Sequence, residues 1–184
     1  MKINGSERKL NNRGFSLLEL IVTLAVMVVL IGAAIVTVAM LDSSYVEDAE
    51  RGIKDYIGIA RTKSMSVSAK EWYITVAKEG SDYYVYLNKV VASGVDGADQ
   101  ETIMVDKKRI GTNISITYGV SKEPITDTKK LEFHFDAATG KIVVVKYNNS
   151  DQGTGDGIGY IGISRNDYEV NLKVFYNTGK CERE

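Results

Sequence analysis

The sequence predicts an α+β protein in which a long N-terminal helix leads into an antiparallel β-sheet or sandwich domain. Three observations carry that expectation. From Phe15 to Leu41 the only ionisable side chain is Glu19, and Leu20 to Leu41 is uncharged throughout. From Asp42 to Lys70 apolar residues recur at three- and four-residue steps with charges between them. Beyond Lys70 the pattern changes to short alternating runs separated by glycine-rich and polar turns.

Residues 1–14 (MKINGSERKLNNRG) read as a basic leader, with Lys2, Arg8, Lys9 and Arg13 against Glu7. The segment 15–41 has the length of a membrane-crossing helix, for which roughly 20 apolar residues suffice. The basic flank assigns the leader to the cytoplasmic side. The acidic start of the next segment, Asp42, Glu47, Asp48 and Glu50, assigns residues 42–184 to the outside of a single-pass cytoplasmic membrane protein. An ordinary secretory signal would have a shorter apolar core ending in a small-residue cleavage site, whereas the small residues Gly32 to Ala34 lie inside this run. Glu19 is the anomaly. A carboxylate costs about 2.5–3.5 kcal/mol at the bilayer centre and less near the interface, so Glu19 reads either as a headgroup-level acid or as a functional one.

Setting the leader aside takes the formal net charge from −1 to −4, which does not favour nucleic acid as a partner. The part beyond Leu41 suffices for one domain with its own core. Val46, Ala49, Ile53, Tyr56, Ile57, Ala60 and Val67 form one apolar stripe, and no proline interrupts Phe15 to Lys70, so one helix to about residue 70 is the simplest structure. Ser44 followed by Glu47 has the form of a capping box, which leaves open a restart of the helix there.

The strands predicted next are 72–77 and 83–87, joined as a hairpin by Gly80-Ser81-Asp82, then 102–105, 113–120, 131–135, 141–147, 158–163 and 167–176. In the last, Tyr168, Val170, Leu172, Val174 and Tyr176 share one face, as in an antiparallel strand with one buried side. The polar, glycine-rich stretches 92–100 and 148–157 read as surface connections.

The junction of basic leader, Gly14, Phe15 and Glu19 resembles the processing site of the type IV pilin and pseudopilin superfamily. That resemblance implies the pilin fold, cleavage by a prepilin peptidase between Gly14 and Phe15, and N-methylation of Phe15. It also gives Glu19, at the fifth position of the mature chain, a role: pairing with the N-terminal ammonium of a neighbouring subunit, so that two charges costly in lipid neutralise one another. The implied partners are prepilin peptidase, other pilin or pseudopilin subunits, an inner-membrane assembly platform and the lipid bilayer. Residues 57–68, 133–140 and 174–180 further resemble the H-type minor pseudopilins of type II secretion and their relatives among minor type IV pilins. Two departures count against a major pilin: Val36 stands where major pilins usually carry proline, and the single cysteine, Cys181, cannot form the C-terminal disulfide that many of them have.

The expected function is therefore a minor structural subunit of a secretion pseudopilus or pilus, which ends in a periplasmic or extracellular filament. The alternatives are a major pilin, or a single-span anchored binding module such as a DNA-uptake minor pilin. No enzyme is expected, since nucleophilic or metal chemistry needs convergent side chains and the chain has one histidine and one cysteine. No cofactor is implied. His134, between Phe133 and Phe135, reads as solvated or paired across strands, alongside Glu132 and Asp136. Cys181 reads as an exposed, incidental thiol, with an intermolecular bridge as the lesser reading. Asp151 and Asp156 are weak calcium candidates whose spacing does not fit an EF-hand loop, so a flexible acidic turn is preferred. Trp72, Tyr73, Tyr83, Tyr84 and Tyr86 read as cross-strand packing.

Overall fold

The computed structural model describes residues 16–66, 71–93, 99–155 and 157–184. The chain divides into two compact units, Met1–Ala39 and Met40–Glu184. Helix α1 spans Leu17–Ser66, and the strands are β1 Glu71–Glu79, β2 Asp82–Ser93, β3 Asp99–Thr112, β4 Ser115–Tyr118, β5 Glu123–Pro124, β6 Leu131–Phe135, β7 Ile142–Tyr147, β8 Ser150–Asp151, β9 Ile158–Arg165, β10 Tyr168–Phe175 and β11 Lys180–Arg183. This is the predicted α+β class. The strands form two antiparallel sheets, ordered β3-β2-β1-β6-β7-β8 and β11-β10-β9-β4-β5.

Helix α1 runs through Ser44 without the restart that the capping-box pattern left open. Glu47 instead turns its carboxylate to the Tyr168 hydroxyl (3.1 Å) and the Arg183 guanidinium (3.6 Å). The stripe Val46, Ala49, Ile53, Tyr56, Ile57 and Ala60 is buried to the last residue and joins both sheets in one core. Val67, its last expected member, and the expected helix end near Lys70 lie outside the described residues. Each of the larger aliphatic side chains in this stripe contributes on the order of 1.5–3 kcal/mol through burial.

Gly52 has a packing role that its sequence context did not reveal. A Cβ there would sit 2.6 Å from Ile110 Cγ2, so the missing side chain lets the helix approach β3 closely. The neighbouring Tyr56 hydroxyl donates to Asp106 at 2.7 Å on the same strand, and burial together with that carboxylate pushes the phenol up to about 12.

The hairpin β1–β2 turns at Gly80-Ser81 as predicted, with Glu79 opposite Asp82. Strands β2 and β3 are much longer than the runs 83–87 and 102–105 suggested, and Ala92, Ser93, Asp99 and Gln100, read as loop, belong to the ladder. Register shifts on β3 break its alternation, which is why periodicity found only its centre. Similarly, β8 lies within the expected connection 148–157, where Asn148 and Asn149 take positive φ and let Tyr147 pair with Ser150. On β10 the predicted face holds: Val170, Leu172, Val174 and Tyr176 are buried, with Tyr168 packed at the margin. Strand β11, which pairs Cys181 with Val174, had no sequence signal.

The side of the core formed by β4, β6, β7 and β10 is closed by aromatic rings. Tyr118 meets Phe133 edge-on, at 6.5 Å between centroids, and Tyr147 at 5.8 Å, while its hydroxyl lies 2.9 Å from that of Tyr176. Trp72 and Tyr83 also pack in the core.

At the end of α1 three separated segments meet. A Cβ on Gly140 would lie 2.9 Å from Arg61 Cγ and 2.9 Å from Met65 Sδ, and one on Gly179 would strike the Gly140 carbonyl oxygen. Both glycines have positive φ, +67° and +60°, so they are demanded twice, by backbone and by space. Gly153 shares the conformation (φ +67°) but has nothing within 4 Å, which separates the two demands. Gly179→Ala should therefore destabilise the protein by about 3 kcal/mol against about 1 kcal/mol for Gly153→Ala, measured as urea midpoints at equal m. Equal losses would show that packing at the Arg61 junction is not tight.

Candidate processing and assembly segment

Helix α1 begins with a cap. The Glu19 backbone N–H donates to Ser16 Oγ at 3.2 Å, and the Leu20 N–H donates to the Ser16 carbonyl at 3.1 Å. Ser16-Leu17-Leu18-Glu19 is thus spaced as a capping box, a signal present in the sequence but read only as part of a cleavage motif. Glu19 is exposed in the first turn, where a carboxylate faces the positive end of the helix dipole, worth about 0.3–1 kcal/mol. Gly14 and Phe15, the expected cleavage pair, lie outside the described residues, as do the rest of residues 1–15.

The helix that follows is apolar on all sides. Its large apolar side chains from Leu17 to Ile31 are each at least 53% exposed, and nothing lies within 4 Å of where a Gly32 Cβ would be. Its hydroxyls are satisfied locally, Thr23 donating to the Leu20 carbonyl at 2.9 Å and Thr37 to the Ala33 carbonyl at 3.0 Å. A helix of this kind calls for an apolar surrounding, lipid or protein, since no wet face remains to be hydrated. Among the described residues no helix is long and apolar enough to cross a membrane. The described side chains of this stretch are those of Leu17–Ala33, Thr37, Met40 and Leu41, whereas the uncharged run in the sequence is unbroken from Leu20 to Leu41.

Residues 9–35 match the family described as the prokaryotic N-terminal methylation motif. The chain carries a methylation motif of the type IV pilin kind. Leu10 to Gly14, Phe15 and Glu19 all fall within it, and the motif supports a type IV pilin-like substrate of prepilin peptidase. Neither the curated proteins nor the solved structures provide a match. The β-domain lies wholly beyond the motif, so its architecture is known from its own packing.

The other candidate residues are placed in structural roles. His134 is buried, not solvated: its Nδ1 lies 2.6 Å from Glu71, its Nε2 lies 3.3 Å from Glu132, and its ring stacks on Tyr73 at 4.5 Å. The expected cross-strand pairing is thus present, while Asp136 turns away to accept from the Thr139 N–H and hydroxyl, bonds that hold its carboxyl below the usual range. Asp151 Oδ1 accepts from the Gly153 N–H at 2.8 Å, closing a turn, and Asp156 lies outside the described residues. Among the described residues no group of three or more potential metal ligands occurs. On the face of the larger sheet away from Trp72, the Lys107 ammonium sits over the rings of Tyr84 (4.0 Å) and Tyr86 (5.2 Å) and pairs with Glu79 at 2.8 Å.

Cys181 is half-buried against the core, not an exposed thiol, because β11 pairs it with Val174. Burial pushes its thiol up to about 11, with Lys54 opposing and Glu50 reinforcing the shift. Only the thiolate attacks disulfide reagents, so at pH 8 Cys181 should react about a hundredfold slower than an unperturbed thiol. The rate should climb about tenfold per pH unit until the thiol ionises. Stopped-flow labelling across pH 7–10 checks this, and a fast, pH-flat reaction at pH 8 would contradict the burial.

Proposed function

We propose that the protein is a minor pilin or pseudopilin: a membrane-inserted structural subunit, cut by prepilin peptidase between Gly14 and Phe15, methylated on Phe15, and assembled into a filament through α1. The observation that carries this reading is the methylation motif over residues 9–35, continuous with a helix apolar on every side. Before assembly the segment 15–41 lies in the cytoplasmic membrane, with the leader inside and the β-domain outside. In the filament the apolar helix exchanges lipid for the helices of other subunits, so its hydrophobic surface stays covered throughout. The chain acts as a scaffold part rather than an enzyme.

Glu19 then has two functions that follow one another. Within its own chain it complements the first turn of α1. In the assembly its carboxylate meets the methylated ammonium of a neighbour, an attraction strengthened by the low dielectric around both groups. Assignment to the H-type branch rests on the resemblance carried by residues 57–68, 133–140 and 174–180. A minor rather than major role is supported by Val36 in place of proline.

N-terminal sequencing of protein from its native membrane should begin at Phe15, and Gly14→Ala should be processed more slowly. Recovery of chains retaining residues 1–14 beside an active prepilin peptidase would refute the processing. Glu19→Leu should insert and mature normally but enter filaments at under about a tenth of the wild-type level, in line with the loss of one buried charge pair. Incorporation at the wild-type level would leave Glu19 only its role in the first helical turn. Counting subunits in purified filaments tests the minor role, which fails if this chain is the most abundant.

A further inference from the structure

Two successive stretches of α1 hold to the β-domain by different physics. From Ile53 to Ala60 the contact is mostly apolar: Ile53, Tyr56, Ile57 and Ala60 are buried in the shared core, beside the Tyr56–Asp106 hydrogen bond and an exposed Asp55–Lys108 pair at 3.9 Å. From Asp42 to Glu50 it is mostly ionic. Asp42, which begins this stretch shortly after the boundary at Ala39, is buried, pairs with Arg165 Nε at 2.7 Å and accepts from Asn166 Nδ2 at 2.7 Å. The Arg165 guanidinium also lies over the Tyr45 ring at 4.1 Å. Further along, Glu47 meets Tyr168 and Arg183, and the buried Glu50 meets Arg183 at 3.6 Å besides pairing within the helix with Lys54 at 2.6 Å. Only Val46 and Ala49 place apolar side chains in the core along this stretch.

An apolar contact is opened only at the full cost of exposing its surface, whereas ionic groups recover hydration when they part, so most of the Coulombic loss is offset. We propose that Asp42–Glu50 is a releasable clasp, which opens from the β-domain as a local unit while Ile53–Ala60 stays docked. Asn166, at positive φ in the tight β9–β10 turn, and Arg165 beside it hold the outer end of the clasp, and Arg183 holds the inner end. Release would leave residues 42–50 undocked, about two turns of α1, without unfolding the sheets.

Hydrogen exchange on the full chain in detergent reads this through the fraying of helical turns that have lost their cover. In the wild type, amides 42–50 should exchange faster than 53–60, and about 1 M salt should accelerate the first group more than the second. Asp42→Asn should speed exchange over 42–50 about tenfold and change 53–60 and the strands by less than about twofold. Arg183→Gln, at a more exposed site that is safer for folding, should accelerate 47–50 in the same selective way. Equal acceleration of both stretches, or no change over 42–50 in either variant, would overturn the proposal, since the helix would then open as a single unit or not at all.

Discussion

The fold depends on one burial event: the stripe of α1 centred on Ile53 to Ala60 closing against the inner faces of both sheets. Among the described residues neither sheet has another helix to cover it, and the inward residues of β1, β6, β9 and β10 share a single core with that stripe. Gly52 permits the approach, and Tyr56 fixes its register through Asp106. Because the same helix also carries the processing motif at its start, packing of the domain and presentation of the motif are written into one continuous element.

Much of this was legible in the sequence, for reasons specific to each element. The helical stripe and the face of β10 have unbroken periods of 3.6 and 2, and unbroken periods are what one-dimensional reading detects. Strands β2 and β3 were truncated because two register shifts interrupt the alternation, and β11 was missed because Lys180, Glu182 and Arg183 give it a polar face and only Cys181 points inward. Helix continuity through Ser44 was undecidable locally, since the groups that claim Glu47, Tyr168 and Arg183, lie far along the chain.

The functional segment shows a similar division. Gly14, Phe15 and Glu19 stand out because a charge in an apolar run is rare and the surrounding spacing is specific. The capping relation of Ser16 to Glu19 was equally present in the letters but hidden by the stronger meaning of the motif. The convergence around Arg61 could not be derived from sequence at all, because the close approach of Gly140 and Gly179 is a fact of packing. His134 was placed correctly beside Glu132 but not beside Asp136, Glu71 was missed, and the ring was judged too exposed, since alternation gives the face but not the cover that Tyr73 provides.

The span of the contacts made by Asp42 and Glu47 has a consequence for synthesis. Asn166 lies 124 residues beyond Asp42, and Tyr168 lies 121 beyond Glu47. The helix is made before every strand, and residues 165–183, which hold Asp42 and Glu47, are made after the strands that meet Gly52 and Tyr56. Such long closures make folding slow and leave early intermediates sticky. Completion of the domain thus becomes a late event in the life of each molecule, timed by residues 165–183.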